Sequence, residues 1–489
     1  MKMKKLLLLI FLFLTGIYAA FGQAEGSVVS ATARAGVATT FVTDYQSIGI
    51  NPANLGVRTK YETKHFTFGF METNMSAFAK GVNINQMKNY IFSGNSLTPD
   101  SKVTASNLYA QNNISVNLDV MLVGAAYQTD KFGGLAFSIN DVARGNGNMS
   151  QNFTNMAFSG GLSTTYFDKL RLNDQSIVAN NPSQYNTYAN VGVDSALSTK
   201  GFTLGQVFNG TSMKAHYYRT INVAYGKEIF RNEVFNVSVG VGLKYVMGYY
   251  YMNLQSKNGV LTGNVADNAI LSSVSQTFNL PANNDKNGFI TPQGQGYGFD
   301  LGLTTQIYDK FKIGVSLLNV GRVKYTRNTY SAQNDTIHAI QYDNTTGDAL
   351  NKSINWKPEH SFTVNLPTTL RLGASMSLFE KKVEIGGDII MPLNKEAGNL
   401  NKAIYAVGGD IQLKKWIKLS SGASIGGNYA NNINGYSTHV CVPLGATFIV
   451  GENGGWEISL ATRDIVSLVD FNGKSPLYSA GLCALRFRI

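Results

Sequence analysis

The stretch Val234–Met252, VFNVSVGVGLKYVMGYYYM, alternates along its whole length. Phe235, Val237, Val239, Val241, Leu243, Tyr245, Met247, Tyr249 and Tyr251 share one face. Asn236, Ser238, Gly240, Gly242, Lys244 and Gly248 fall largely on the other. A period of two marks a strand with one apolar face. Strands of globular domains are mostly about 5–6 residues long, whereas this one exceeds the roughly 10 that cross a bilayer at a tilt. Its tyrosine end suits an interfacial aromatic girdle.

The pattern recurs. Leu370, Leu372, Ala374, Met376 and Leu378 alternate with Arg371, Gly373, Ser375 and Ser377, and Tyr436, Val440, Val442, Leu444, Ala446, Phe448 and Val450 share a face. Further strands are expected at Phe66–Met71, Asn113–Gln128, Gly133–Asp141, Tyr218–Glu228, Tyr297–Tyr308, Phe311–Tyr325, Lys382–Met391, Ala403–Lys415, Trp416–Tyr429, Gly455–Arg463 and Leu477–Ile489, about fourteen in all. Short polar connections lie near 130, 380, 396 and 452. Long ones, rich in Asn, Ser, Thr and Gly, span Arg144–Lys214, Asn253–Gly296 and Thr326–Pro367. Short turns on one side and long loops on the other is the build of an outer-membrane barrel.

The face opposite the apolar one carries Asp119, Asp300, Arg371, Asp388, Asp410 and Arg463. In a soluble sandwich that face would meet water. In a barrel it lines the lumen while the apolar face meets lipid. Strand length favours the barrel, and so does the chain's opening. MKMKK is a basic n-region, LLLLIFLFLTGIYAAF an apolar core, and Ala20-Phe21-Gly22 supplies small residues before a cleavage expected at Gln23. The apolar run Leu6–Phe21 is shorter than the ~20 residues of a spanning helix, and no Cys stands at the cleavage region to take a lipid. The last segment, LYSAGLCALRFRI, alternates Leu485, Phe487 and Ile489 with Arg486 and Arg488, and resembles a terminal strand of outer-membrane proteins.

Composition agrees without deciding. Mean hydropathy is −0.07, as expected where two faces alternate. Charged residues are only 15% of the chain and glycines number 50. The net charge of +11 includes Lys2, Lys4 and Lys5, which leave with the signal. The remaining Lys and Arg are scattered through strands and loops without a cluster, so no nucleic-acid partner is expected. Cys441 and Cys483 could bridge in an exported chain, or could be two small buried or lipid-facing thiols.

No catalytic pattern stands out. His65, His216, His338, His360 and His439 have no metal-site spacing. His439 has Ser437 two residues away, with nothing to complete a triad. GQGYG, Gly294–Gly298, opens a strand rather than a helix, so it reads as a strand entry and not a phosphate loop. The chain is read as a non-enzyme with no metal and no cofactor.

SIGINPANLG, Ser47–Gly56, is an Asn-Pro turn in a small-residue stretch that has no core of its own. Pro52 pushes Asn51 toward an extended backbone. The run from Ala33-Arg34-Ala35-Gly36-Val37 through Asp44 to Asn51-Pro52-Ala53-Asn54-Leu55-Gly56 resembles the start of FadL/PorV-like outer-membrane barrels, Bacteroidota type. Asn54 stands where that motif usually has Gly. The resemblance covers about 25 residues. It implies a barrel of about fourteen strands with an N-terminal hatch, and for some members passage of hydrophobic molecules.

The expected organisation is a signal peptide at 1–22, a hatch at 23–60 and an all-β transmembrane antiparallel barrel at 61–489, placed in the outer membrane. Asn51, Pro52, Ala53 and Asn54 are the candidate hatch turn and gate, held against the wall near the periplasmic end. The partners expected are membrane lipid and a small hydrophobic or amphiphilic ligand. The alternative, PorV-like, is a non-transporting barrel that binds other exported proteins.

Overall fold

The computed structural model describes residues 26–57, 64–79, 82, 86, 99–110, 113–159, 163–268, 280–281, 290–341, 354–429, 440–451, 455–469 and 477–489. The expected signal peptide, residues 23–25 and 58–60 of the expected hatch, and Ser437 and His439 lie outside them.

Fourteen long strands form the wall: β1 (Phe66–Ala79), β2 (Asn113–Thr129), β3 (Gly133–Asn148), β4 (Ser212–Arg231), β5 (Phe235–Lys257), β6 (Gly294–Ile307), β7 (Phe311–Tyr325), β8 (Thr369–Leu378), β9 (Val383–Pro392), β10 (Ile404–Lys414), β11 (Ile417–Gly426), β12 (Leu444–Val450), β13 (Trp456–Thr462) and β14 (Leu477–Arg488). Each pairs antiparallel with the next. β14 returns to β1, with Arg488 opposite Thr67 and Leu477 opposite Phe78, so the ring closes. A closed ring leaves no unpaired strand edge.

Alternation sorts the side chains. Phe299, Leu301 and Leu303 on β6, with Ile313 and Val315 on β7, point outward and are exposed. Asp300, Thr304 and Ser316 between them are buried inside. The same holds for Tyr405 and Val407 against Ala406 on β10. An apolar belt running round the whole ring exceeds any patch a water-soluble surface carries, and a closed barrel is the strand structure that lipid accepts. No described helix is long and apolar enough to cross a membrane.

The tight connections 130–132, 232–234, 308–310, 379–382 and 415–416 share one end of the ring. The other end differs from the expectation of open loops. Residues 336–341, 193–203, 169–172 and 177–179 form a separate four-stranded sheet. That sheet and the helices Pro99–Tyr109 and Gln151–Ser159 share an apolar core that includes Phe153, Leu170, Phe202 and Ile340. The described residues of the connections 149–211 and 326–368 therefore build a cap. The expected tyrosine girdle of β5 is also corrected. Tyr249, Tyr250 and Tyr251 are buried, because β5 runs on to Lys257 and pairs with Val260–Ala266 beneath the cap. The connection near 396 was expected to be a simple turn. It lies at the cap end and folds inward, burying Ala397 and Leu400.

Both cysteines are buried free thiols, so the open question of a bridge closes in favour of two separate thiols.

Leu301→Arg, on the outward face partway along β6, should cost about 2–4 kcal/mol in refolding titrations into vesicles, the depth-dependent penalty of a cation facing lipid. An unchanged titration midpoint would remove the lipid-facing assignment of this face.

Candidate functional site

Residues 26–57 lie against the inward face of the wall. They form a short helix (Val29–Ala33) and two 3-10 turns (Asp44–Ser47 and Pro52–Gly56). So short a segment, rich in Ala, Gly, Ser and Thr, cannot satisfy its own backbone. Leaving a buried donor unpaired costs about 1–3 kcal/mol. The wall supplies the partners.

On β9, Asp388 accepts from the backbone N–H of Ala38 and of Thr39, each at 3.0 Å, and from Thr39 Oγ1 at 2.6 Å. Arg371 of β8 pairs with the same carboxylate at 2.8 Å and donates to Gly36 O at 2.7 Å. Both charged side chains are fully shielded from solvent. Next along the ring, Arg34 donates to Asp410 of β10 at 2.9 Å and lies over the Phe41 ring at 4.6 Å. Across the lumen, Glu72 of β1 accepts from Val29 N at 3.0 Å and Gln46 Nε2 at 2.8 Å. Asn74 donates to Gly26 O and Val28 O, each at 3.1 Å. Asp44 pairs with Arg486 of β14, which also binds Glu457 at 2.9 Å.

The Asn-Pro turn has its own seat. Asn51 is extended (φ −159°, ψ 99°) and caps the turn by accepting from Ala53 N at 3.2 Å, with Pro52 opening it. Its amide donates to Thr304 Oγ1 on β6 at 2.9 Å and to Thr39 O at 3.0 Å. Asn54 donates to Thr39 O and Val42 O, each at 3.0 Å, and accepts from Thr304 Oγ1 at 2.7 Å. A side chain with no donor at position 54 would lose both amide bonds. Ala53 is fully buried. Glycines of the wall make room: a Cβ at Gly226, Gly240 or Gly302 would overlap Pro52 or Asn51. Leu55 O accepts from Gln128, next to the 130–132 turn, at 2.9 Å. The turn thus sits toward the end of the ring that carries the tight connections.

The structure brings all six polar wall residues read from the sequence inside: Asp119, Asp300, Arg371, Asp388, Asp410 and Arg463 are buried or nearly so. Arg144 pairs with Asp119 at 3.0 Å and Lys244 with Asp300 at 2.9 Å. Asp119, Arg144 and Lys244, with Asn140, Tyr218 and Ser27, bound a cavity of about 100 Å³ between the segment and the inward-folded connection at Asn399 and Leu400. It is polar, and far below the roughly 300–1,000 Å³ of small-molecule sites. Glu72, Asn74, Glu457 and Lys244 were not singled out as anchors from the sequence.

Among the described residues no group of His, Cys, Asp and Glu is placed to hold a metal. His65 contacts Gln128 O at 2.8 Å, and His216 is buried against Tyr218 with ring centroids 4.7 Å apart. Neither has a nucleophile beside it in the contacts described.

Residues 185–440 match the model of a family of unknown function (DUF5723), just over half of the chain. The chain belongs to that family. The DUF5723 region runs from the cap to the residue before Cys441, and it leaves residues 26–57 outside. No curated protein matches the sequence. Among solved structures the DUF5723 chain is similar to the toluene transporter TodX of Pseudomonas putida, at 11% identity over 95% of this chain and 97% of that one, TM-score 0.40. It is also similar to the deltaS2S3 mutant of the monoaromatic hydrocarbon channel TodX, at 10% identity over 94% and 97%, TM-score 0.44. A Pseudomonas aeruginosa FadL homologue gives 11% identity over 96% and 97%, TM-score 0.37. With overlaps of that size, the barrel stands on its own strand pairings.

Asp388→Ala should free residues 36–40 from the wall and leave Arg371 buried without its carboxylate, a loss of about 3–5 kcal/mol. Limited proteolysis of the variant in vesicles should cut within residues 26–57 while the barrel stays heat-resistant on gels. Equal protection of variant and parent would contradict the anchoring role.

Proposed function

We propose that this protein is an outer-membrane barrel of the transporter type, resting closed, in which residues 23–60 act as hatch and the Asn51-Pro52-Ala53-Asn54 turn as the seated end of the gate. The observation that carries this reading is the segment inside the ring, tied by side chains of β1, β8, β9, β10 and β14. A wall that needed only stability could fill its lumen with its own side chains. This one spends buried carboxylates and guanidiniums on a separate segment. Groups so arranged can let go together, since losing one partner destabilises the others.

The solutes we assign are small amphiphilic or hydrophobic molecules. The inner lining of Asp119, Arg144, Lys244 and Asn140 favours those with a polar end. The closed cavity is too small to hold one, so passage requires the segment or the 393–403 connection to move. The PorV-like alternative, a barrel that holds exported proteins, draws on the cap, whose packed core gives a rigid surface beyond the membrane.

Planar-bilayer recording separates the readings. The parent should be silent or nearly so. Deletion of Gln23–Gly56 should leave an inserted barrel with steady conductance and faster solute entry into vesicles. Unchanged permeability would sink the hatch reading. Recovery of a stoichiometric exported protein with the parent barrel, with no gain of permeability on deletion, would favour the alternative.

A further inference from the structure

The outer wall carries a feature that the transport reading does not use. Going up β6 toward the cap, the outward positions are Leu303, Leu301, Phe299, Tyr297 and Gln295. Tyr297 is 72% exposed and its ring lies 5.5 Å from that of Tyr245 on β5. Paired tyrosines above an apolar belt mark the headgroup level of a membrane. At that level, opposite Tyr297 and Gln295, β7 presents Arg322 and Lys324. Both are exposed and outward. They are two residues apart on one strand, which puts them about 7 Å apart.

Neither cation forms an ion pair among the described residues. The other charged residues of β5–β7 facing inward are engaged with each other, Lys244 with Asp300, and Lys312 is held by Glu384 at 3.1 Å. On the flanking segment Phe362–Asn365, Arg322 faces Asn365 and Lys324 faces Thr363. Glu396, beside this segment, accepts from Asn365 at 3.2 Å. Arg322, Lys324, Thr363 and Asn365 bound a groove of about 950 Å³ whose lower wall is Leu243 and Phe299. The groove thus has two free cations and amide or hydroxyl donors at its upper end, and exposed apolar side chains at its lower end.

We propose that this groove binds a lipid with a negatively charged phosphate headgroup, in the leaflet on the cap side. The phosphate sits between Arg322 and Lys324, with Asn365 and Thr363 as polar neighbours, and an acyl chain lies over Leu243 and Phe299. Phosphate is the group that best meets a fork of guanidinium beside an ammonium. Lipid is the occupant because the cations stand at the top of a lipid-facing belt, where basic residues meet anionic headgroups. The site does not depend on the hatch reading. It depends on the barrel wall and on the segment Phe362–Asn365 that pairs with β7.

Native mass spectrometry of the delipidated barrel in neutral detergent tests it. Dioleoylphosphatidylglycerol should give a retained one-to-one adduct, and dioleoylphosphatidylcholine a much weaker one. R322Q/K324Q should bind the phosphatidylglycerol about tenfold or more weaker. K200Q, which removes an exposed cation from the cap, should bind as the parent does. Equal binding of the two lipids by the parent, or of phosphatidylglycerol by parent and R322Q/K324Q, would overturn the proposal. So would binding of glycerol 3-phosphate as tight as that of the whole lipid, which would make the groove a site for free anions.

Discussion

One carboxylate, Asp388, is shared between the wall and the segment inside it. It neutralises Arg371 and receives three hydrogen bonds from Ala38 and Thr39. Placing a charge there without those partners would cost several kcal/mol. The segment therefore takes its partners from the wall, and Asp388 and Arg371 of the wall take partners from the segment in return. The same exchange recurs at Asp410 with Arg34 and at Arg486 with Asp44. Around the ring these junctions replace the water that would solvate an open lumen.

That exchange shapes the interior. Side chains facing inward must be either paired or small, and both kinds appear. Ion pairs occupy β2 to β6, and glycines such as Gly240 and Gly302 admit the Asn-Pro turn. The cap closes the opposite end with a core of its own. A molecule entering would have to displace polar contacts rather than push aside an oily plug. For this reason a polar end suits the proposed solutes, and ion pairs and hydrogen bonds to the wall hold the segment proposed as the hatch.

Much of the wall was legible from alternation alone. A period of two sustained over ten or more residues has few other uses, and with the shorter alternating runs it placed all fourteen strands, β7 at its observed ends. The errors have physical causes. β1 was cut short at Met71. There the backbone turns left-handed (φ 53°) and the pairing with β2 skips from Phe70 to Glu72. Before Met71 the even-numbered side chains point out, and after it they point in, so Glu72 and Asn74 read as loop residues although they anchor the segment. The cap was invisible because its strands are short and its core joins residues more than a hundred positions apart, as Leu170 with Ile340. Asn51 and Asn54 stood out by motif. Their partner Thr304 did not, because a lone threonine on a strand carries no pattern.

The account rests on residues 26–57 lying within the ring in the membrane, and a cross-link measures that directly. Thr40 Oγ1 and Ser375 Oγ are 2.9 Å apart, one on the segment and one on β8. With Cys441 and Cys483 changed to Ala, Thr40→Cys and Ser375→Cys together should form a disulfide on mild oxidation of outer-membrane vesicles. Each single variant should leave its thiol unlinked. Free thiols in the double variant, reactive toward a membrane-impermeant reagent, would contradict the account.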